Sequence, residues 1–441
     1  MNIPTSPLQT DFYQFTMSYA YLMAGKAHEI TGFESFIRNV KPAITNEEPY
    51  YIFKGENDIK QFMIQLNEDI NSPFFFDTFW DYLYPKFKEE KKVVDQFYET
   101  AKAAFDLVPK NFEYTVIPNG TKVYPMVPVF QFKGPKIFGQ MIETPITNIV
   151  NGQTGFESYK TFNPTKLHNI VKIEKNINNE VTPEYKKIID SRAVEYRNAT
   201  TKILFEAGFR RAPNFNIACY ASRAAIKAGW DGTSNTCLFG KIPTALIGGT
   251  MAHAFIMAFD TEEEAFIAWN KIYPKSTVLI DTYNTIEAVK TLIKLNIRPV
   301  AVRIDSDPIE ELAFGVRKIL DEAGWTEVKI FLSGDITPEK LIKWEREKVP
   351  FDMCMAGTKY VNLNGMEYVN AGFVYKIVEF TSDNMTRYPV KKAFGKSNYP
   401  GLKTMVVDSN GNITMTIVKN SFGFENISSI SNKAEVKFIE I

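Results

Sequence analysis

Four short apolar segments recur at regular intervals in the second half of the chain. They cover residues 277–281, 300–305, 329–335 and 351–357, and their ends lie 24, 30 and 22 residues apart. This spacing is the length of a strand plus a crossover helix. Strands that are apolar almost throughout are typical of a parallel sheet covered by helices, so the pattern predicts repeated βα units.

The segments between these strands have helical spacing. Residues 308–323 place apolar side chains on one face, and Gly324 follows as a signal for the helix end. The Thr-Pro pair at 337–338 predicts the start of the next helix, because proline suits the first helical turn. Upstream, residues 244–249 predict another strand, which a helix over about 251–269 follows. The pattern therefore predicts an α/β fold, either an α/β barrel or an open parallel sheet.

The segments on either side of this region have different patterns, which together predict three domains. Residues 1–145 are rich in aromatic side chains and mix helical and strand-like stretches, as in an α+β domain. Residues 146–371 form the predicted α/β domain, with a polar insertion at 163–197. Residues 372–441 predict a β-rich segment that packs on the N-terminal domain, and an Asn-Gly turn at 410–411 predicts a hairpin within it.

Composition narrows the class of protein. The 441 residues include 51 Lys and Arg against 51 Asp and Glu, and 45% are hydrophobic. These are the proportions of a globular protein, which excludes disorder as the dominant state. The balanced charge argues against a nucleic-acid partner. Three cysteines without close spacing exclude a disulfide framework and a cysteine zinc site, and they fit a reducing cytosol.

Two segments bear on localisation. Residues 1–11 lack the basic start and the apolar core of a signal peptide. Residues 242–259 carry no Asp, Glu, Lys or Arg, but Gly248 and Gly249 interrupt them. A helix broken by paired glycines leaves backbone groups unsatisfied in lipid, so a buried strand, turn and helix are the favoured interpretation. We expect a cytoplasmic protein with no membrane partner.

Candidate chemistry lies where the predicted strands end. Asp281, Asp305 and Asp335 each end an apolar segment, and ligands bind at this carboxyl edge of parallel sheets. An aspartate at a strand end is alternatively a helix N-cap or a turn residue. Three carboxylates at one mouth suit sugar hydroxyls or a phosphate ester bound through Mg²⁺.

Further candidates are a histidine, an arginine and two loops. His253 begins the helix after a predicted strand, where it is either a core histidine or a nucleophile or acid–base group. Arg303 lies inside an apolar strand, on the same face as Asp305. A guanidinium in that position needs an anionic partner. The Gly-Thr loops at 232–235 and 357–360 are candidate phosphate cradles.

Eleven motifs occur in an order that resembles a known family. They are TDFYQFTM (10–17), FESFIR (33–38), ETPITN (143–148), GFRRA (208–212), GTSN (232–235), GTMAH (249–253), LIDTY (279–283), VRIDS (302–306), LSGD (332–335), GTK (357–359) and YPGLK (399–403). Together they resemble nicotinate phosphoribosyltransferase, an NAD-salvage enzyme of the type II phosphoribosyltransferase fold. The resemblance implies an irregular TIM-like α/β barrel with an α+β N-terminal domain and a C-terminal β-rich extension.

The resemblance also implies catalytic and nicotinate-binding residues. His253 matches the histidine that ATP phosphorylates in the family. The positions that hold nicotinate are matched by Tyr13, Thr250 and Arg303. A cation paired with the pyridine carboxylate explains selection of the acid over the amide, which lacks that charge.

A second set of residues is assigned to phosphoribosyl pyrophosphate. Gly357 and Thr358 match a contact to this substrate, and an arginine pair near it is matched by Arg210 and Arg211. We expect Asp281 and Asp305 to bind the ribose or its Mg²⁺. This expectation rests more on their positions at strand ends than on the resemblance. The sequence departs from the family at 305–308, where Asp-Ser-Asp-Pro replaces the usual Asp-Ser-Gly-Asp.

The implied activity is ATP-coupled formation of nicotinate mononucleotide and pyrophosphate from nicotinate and 5-phosphoribosyl 1-pyrophosphate, through a phosphohistidine. Mg²⁺ is the implied cofactor and ATP a co-substrate. A homodimer with shared active sites is expected, because Tyr13 lies far upstream of the barrel. The alternatives are a nicotinamide or quinolinate phosphoribosyltransferase, a phosphosugar-metabolising barrel that does not use ATP, and a non-catalytic ligand-binding scaffold of the same fold.

Overall fold

The fold is given by a computed structural model. It describes residues 3–87, 89–166, 168–170, 174, 181–242, 246–362, 370–382, 385–389, 398–407, 413–417, 435–436 and 439–440. The helices are α1 Phe12–Met23, α2 Pro42–Thr45, α3 Glu56–Asn71, α4 Phe75–Leu83, α5 Lys91–Asp106, α6 Lys136–Met141, α7 Glu143–Phe162, α8 Pro183–Asn198, α9 Phe215–Lys227, α10 His253–Met257, α11 Glu262–Ile272, α12 Thr285–Lys294, α13 Ile309–Glu322, α14 Pro338–Arg346 and α15 Thr358–Val361. The strands are β1 Ile30–Phe36, β2 Tyr51–Ile52, β3 Glu113–Val116, β4 Lys122–Val123, β5 Pro128–Pro135, β6 Ile203–Glu206, β7 Gly232–Thr233, β8 Leu246–Ile247, β9 Thr277–Leu279, β10 Ala301–Ile304, β11 Lys329–Ser333, β12 Met353–Ala356, β13 Val374–Ser382, β14 Met385–Arg387, β15 Lys403–Val407, β16 Ile413–Ile417, β17 Glu435–Val436 and β18 Ile439–Glu440.

A seven-stranded parallel sheet forms the centre of the fold, in the order β8-β7-β6-β12-β11-β10-β9. The four apolar segments of the sequence are its neighbouring strands β9 to β12, which pair in parallel along one side of the sheet. The sheet curls into half a barrel, so the predicted α/β class is confirmed. Parallel strands all end at one edge, and that edge carries the candidate site.

The predicted helix boundaries are largely confirmed, with one exception. Helix α13 ends before Gly324, whose φ is 72°, and α14 begins at Pro338 with the Thr337 side chain accepting a hydrogen bond from Lys340 N. The single helix predicted over 251–269 is wrong, because α10 ends at Met257 and α11 begins at Glu262. Thr261 caps the second helix by accepting a hydrogen bond from Glu264 N, and an N-cap residue has non-helical dihedral angles.

A six-stranded sheet joins the two ends of the chain, in the order β14-β13-β1-β5-β3-β18. Strand β1 pairs antiparallel with β13 on one side and with β5 on the other. Strands β15 and β16 also pair antiparallel, as the predicted hairpin requires. Its turn lies outside the described residues, as do residues 167, 171–173 and 175–180 of the polar insertion. Among the helices described, none is both long and apolar enough to cross a bilayer.

A buried ion pair ties the C-terminal segment to the N-terminal strand β1. Lys403 Nζ lies 2.6 Å from Glu34 Oε2, and the two side chains are 1% and 2% exposed. Lys403 Nζ also donates to the carbonyl of Tyr399. Burial raises the pKa of Glu34 to about 7, and the lysine opposes that shift. Glu34 Oε1 is buried without a hydrogen-bond partner among the described residues. Lys403 therefore provides most of the interaction that offsets the loss of hydration of this carboxylate.

Lys403→Met is expected to destabilise the protein by about 3 kcal/mol, because it leaves a buried carboxylate without its cation. The variant then folds best with Glu34 as the neutral acid. Its free energy of unfolding therefore falls as pH rises from the pKa of Glu34 in the unfolded chain through the raised pKa of Glu34 in the folded protein. Urea unfolding at several pH values measures both effects. Lys403→Met combined with Glu34→Gln is the control and is expected to remove the added pH dependence. An equal loss of stability at all pH values would contradict this account.

Candidate active site

The N-terminal segment reaches the carboxyl edge of the parallel sheet. The backbone of Phe12 donates to the Ser234 carbonyl at 2.6 Å, and Thr236 N donates to the Thr10 carbonyl at 3.0 Å. These bonds seat Tyr13 against the loop that follows β8. A Cβ atom on Gly249 would lie 2.3 Å from the Tyr13 nitrogen, so only glycine fits there. The chain itself therefore supplies Tyr13 to the site, and the homodimer stays a prediction.

A cavity of about 270 Å³ lies at this edge. Its wall contains six of the residues predicted from the sequence: Tyr13, Arg210, Thr250, His253, Arg303 and Asp305. Apolar and aromatic side chains form much of the remainder, namely Phe33, Phe205, Phe331, Met353, Met355 and Tyr375. Apolar walls with a few convergent polar groups are typical of small-molecule sites.

Five other predicted residues lie outside this wall. Asp281 sits behind it, where its Oδ2 accepts a hydrogen bond from the Asp305 backbone at 3.0 Å. Arg211 donates to the Phe373 carbonyl at 2.7 Å, and burial lowers the pKa of its guanidinium to about 10. Gly357 packs against the Ala207 carbonyl, which a Cβ would approach to 2.6 Å.

Thr358 lines a separate groove together with Lys41 and Arg192. Asp335 is exposed and does not line the cavity. The structure therefore brings the predicted nicotinate residues and His253 together. Of the residues predicted to bind phosphoribosyl pyrophosphate, Arg210 and Asp305 line the cavity and Thr358 lines the groove, whereas Arg211, Asp281 and Gly357 line neither.

Arg210 is held by a network on the N-terminal side of the cavity. It donates to the Tyr13 hydroxyl at 3.1 Å, and its NH1 lies 3.7 Å from Asp11 Oδ2. Asp11 is buried and accepts hydrogen bonds from the hydroxyls of Thr144 and Ser234. Burial raises the pKa of Asp11, while Arg210 and these hydroxyls oppose the shift. The charge of Arg210 is thus partly neutralised within the protein.

Arg303 has unused hydrogen-bonding capacity. Its NH2 donates to the Met251 carbonyl at 3.1 Å. Its Nε is buried and has no hydrogen-bond partner among the described residues. A buried donor left unsatisfied costs about 1–3 kcal/mol, so an anionic ligand in the cavity would recover that free energy.

His253 is the first residue of α10 and has polar partners on both sides. Its Nδ1 lies 3.0 Å from the Thr282 hydroxyl, and its Nε2 lies 3.9 Å from Asp305 Oδ2. Asp305 is fixed in turn by a 2.6 Å hydrogen bond from Ser333. The His253 side chain is 13% exposed and lines the cavity. These contacts favour a reactive histidine over a core histidine.

A polar cluster beside Tyr13 contains residues that were not predicted as site residues. Gln14 donates to Glu143 Oε2 at 2.9 Å, and Gln140 donates to Gln14 Oε1 at 2.6 Å. Gln140 and Glu143 line the cavity. Gln14 and Glu143 lie within the motifs at 10–17 and 143–148. Their position in those motifs is the sequence feature that could have identified them as candidate site residues.

The arrangement of carboxylates bears on the predicted Mg²⁺. Within the described residues, no group of three or more His, Cys, Asp or Glu side chains is placed to hold a metal ion. Asp281 Oδ1 is buried without a hydrogen-bond partner there, and Asp305 lies next to it in the cavity wall. Mg²⁺ is often bound by one or two carboxylates plus substrate phosphates. The pair fits an ion that arrives with a phosphorylated substrate.

Comparison with known proteins points to one family. Residues 8–151 match the nicotinate phosphoribosyltransferase (NAPRTase) N-terminal domain. The chain is 28% identical over 407 residues to nicotinate phosphoribosyltransferase pncB2 of Mycobacterium tuberculosis, covering 90% of this chain and 74% of the relative. It is 26% identical over 383 residues to nicotinate phosphoribosyltransferase of Bacillus subtilis, covering 85% and 67%.

Solved structures share the fold. The crystal structure of nicotinate phosphoribosyltransferase from Porphyromonas gingivalis superposes with a TM-score of 0.62 at 18% identity, covering 89% of this chain and 96% of that one. The corresponding enzyme from Vibrio cholerae gives a TM-score of 0.60 at 14% identity, covering 90% of each chain. The chain is therefore similar along most of its length to nicotinate phosphoribosyltransferases, and its residues 8–151 match the N-terminal domain of that family.

Proposed function

We propose that the protein forms nicotinate mononucleotide and pyrophosphate from nicotinate and 5-phosphoribosyl 1-pyrophosphate, coupled to ATP hydrolysis. The observation that carries the proposal is the buried Nε of Arg303 in the cavity wall, for which no described residue provides a hydrogen-bond partner. A planar guanidinium matches a carboxylate through two parallel hydrogen bonds. Nicotinate offers that carboxylate on a flat ring, and the aromatic wall suits the ring.

The charge of the cavity supports two anionic substrates. Four cationic side chains line it, Lys86, Arg210, Arg303 and Lys376, against the carboxylates Glu143 and Asp305. This excess attracts phosphate and carboxylate groups. Because Arg210 already bonds Tyr13 and faces Asp11, we assign the pyridine carboxylate to Arg303.

The reaction needs positioning more than proton transfer. The pyridine nitrogen forms a bond to C1 of the ribose while the bond from C1 to the pyrophosphate oxygen breaks, and the electron pair leaves with pyrophosphate. When bound, Mg²⁺ neutralises charge on the pyrophosphate. Arg303 and Tyr13 orient the ring, and the cationic side chains stabilise the leaving group.

His253 is the proposed acceptor of the ATP γ-phosphoryl group. Its Nδ1 is engaged by Thr282, so Nε2, on the side of Asp305, is the nitrogen that attacks phosphorus. The bond from the γ-phosphorus to its bridging oxygen then breaks and ADP leaves. Hydrolysis of the phosphohistidine by water completes the ATP cycle, and Asp305 orients the imidazole throughout.

The direct test is product formation from phosphoribosyl pyrophosphate, Mg²⁺ and ATP, with nicotinate, nicotinamide and quinolinate in separate reactions. Nicotinate mononucleotide formed only from nicotinate, and faster with ATP, is the expected result. Product from nicotinamide or quinolinate instead would assign the chain to that alternative activity. Absence of product from all three would favour a non-catalytic scaffold.

His253→Ala is expected to abolish ATP hydrolysis and to slow nucleotide formation to the rate that the unaltered protein shows without ATP. The reason is that no phosphoryl acceptor remains, while the groups that hold nicotinate are unchanged. Phosphate release and nicotinate mononucleotide are measured in parallel. His168→Ala, at an exposed histidine outside the cavity, is the matched control. Normal ATP hydrolysis by His253→Ala would contradict the assignment.

A further inference from the structure

The side-chain amide of Gln140 lies in the wall of the cavity and is completely buried. Its nitrogen makes two hydrogen bonds, to Gln14 Oε1 at 2.6 Å and to Glu143 Oε2 at 3.3 Å. Its oxygen is buried and has no hydrogen-bond partner among the described residues. A side-chain amide has two N–H donors, so the nitrogen of Gln140 is satisfied, whereas its oxygen is an acceptor for which no described residue supplies a donor.

Glu143 fixes the direction in which this amide faces. An ionised carboxylate only accepts hydrogen bonds, so the atom of the Gln140 amide that meets Glu143 must be the nitrogen. Gln14 also donates to Glu143 Oε2, at 2.9 Å, and its own oxygen therefore faces Gln140. If the Gln140 amide were turned over, its oxygen would lie against these two oxygen atoms. The acceptor is thus held in one position before a ligand binds.

The chemistry of the substrates decides which of them this oxygen binds. A buried carbonyl oxygen without a donor is unfavourable, so a matching ligand offers it an N–H or O–H group. Nicotinate as the anion has no such group, because its carboxylate and its ring nitrogen both accept. Phosphoribosyl pyrophosphate has two ribose hydroxyls, and the bond from the pyridine nitrogen to C1 requires the ribose to lie next to the ring. ATP also carries a ribose, but its triphosphate chain separates that ribose from the phosphoryl group that His253 accepts.

We propose that Gln140 Oε1 accepts a hydrogen bond from a ribose hydroxyl of phosphoribosyl pyrophosphate, which makes Gln140 a specificity-determining residue and Glu143 its positioning residue. This inference rests on the proposed function. Tyr13, which orients the pyridine ring there, is followed in α1 by Gln14, and Gln14 bonds Gln140. The cluster thus holds the sugar on the side of the cavity where Tyr13 holds the ring.

The test is calorimetric binding of phosphoribosyl pyrophosphate and of its 2-deoxy and 3-deoxy counterparts, with Mg²⁺ and without nicotinate. The unaltered protein is expected to bind one deoxy compound at least about tenfold more weakly than the ribose compound, because the buried acceptor is then left without its donor. In Gln140→Met, which keeps an unbranched side chain but has no amide, this ratio of affinities is expected to fall to within about twofold of one. A purely structural role of Gln140 would weaken the binding of all three compounds alike and leave the ratio unchanged.

Gln153→Met is the matched control, since this buried glutamine also donates to a carboxylate, that of Asp58, but lies outside the cavity. It is expected to keep the ratio of the unaltered protein. Glu143→Gln removes the acceptor that fixes the amide of Gln140, and an intermediate ratio is expected for it. Circular dichroism shows whether each variant folds. If Gln140→Met does not fold, the ratio in Glu143→Gln decides the question by itself.

ATP, 2′-deoxyATP and 3′-deoxyATP form a second arm of the experiment. A ratio that depends on Gln140 only among these nucleotides would overturn the assignment to phosphoribosyl pyrophosphate, as would equal binding of all three sugars by the unaltered protein or an unchanged ratio in Gln140→Met. Because nicotinate is absent, the two proposals fail separately. A chain that forms nicotinate mononucleotide without the expected ratio contradicts this inference alone, and one that shows the ratio but forms no product contradicts only the proposed function. A chain that does not bind phosphoribosyl pyrophosphate contradicts both.

Discussion

Arg303→Leu is expected to raise the KM for nicotinate by about a hundredfold or more, with a much smaller effect on the KM for phosphoribosyl pyrophosphate. Removal of one partner from a buried, hydrogen-bonded charge pair costs about 2–5 kcal/mol. Because the Nε of Arg303 is buried and has no protein partner among the described residues, its hydrogen bond is available to the ligand. Steady-state kinetics with each substrate varied in turn measures the two constants.

The same substitution is expected to remove most of the preference for nicotinate over nicotinamide. The amide carries no charge for the guanidinium to neutralise, so its affinity depends much less on Arg303. Arg303→Lys keeps the charge but loses the planar fork, and an intermediate KM is expected.

Arg298→Leu is the matched control, since this exposed arginine pairs with Glu327 and lies outside the cavity. Equal losses for nicotinate and nicotinamide in Arg303→Leu would mean that Arg303 shapes the site without binding the carboxylate. The pyridine carboxylate would then be reassigned to Arg210.

The parallel sheet was predictable because its strands are buried on both faces. Strands β9 to β12 therefore appear in the sequence as nearly continuous apolar segments that end in polar residues. Strand alternation also placed Arg303 and Asp305 on one face, and both line the cavity. Local pattern was sufficient wherever the determining contacts are local or follow the strand period.

The remainder of the site depends on contacts between distant segments. Asp11 meets Ser234 across 223 residues, and Tyr13 meets Arg210 across 197, so no window of sequence contains either pair. Thr358 shows a different limit. Its strand-end position predicted the edge of the sheet, but the direction of the loop, which places Thr358 in a separate groove, is set by tertiary packing.

Gly249→Ala is expected to lower kcat/KM by about a hundredfold, because displacement of positioned groups by about 1 Å has effects of that size. The added Cβ would lie 2.3 Å from the Tyr13 nitrogen and 2.7 Å from its Cα. These are backbone atoms, and the hydrogen bonds of Thr10 and Phe12 to residues 234–236 restrain them. The N-terminal segment must therefore move away from the cavity and carry Tyr13 with it.

Gly248→Ala separates this effect from a general loss of loop flexibility. The three atoms nearest to the Cβ of that variant would all belong to the ring of Phe205, the first at 2.9 Å, and a side chain adjusts more readily than backbone. A smaller loss of kcat/KM is expected for it, with circular dichroism and thermal unfolding showing that both variants fold. If Gly249→Ala retained the kinetic constants of the unaltered protein, Tyr13 would not need its present position for catalysis. If instead the two variants lost activity equally, the loop, and not the approach of Tyr13, would be the sensitive element.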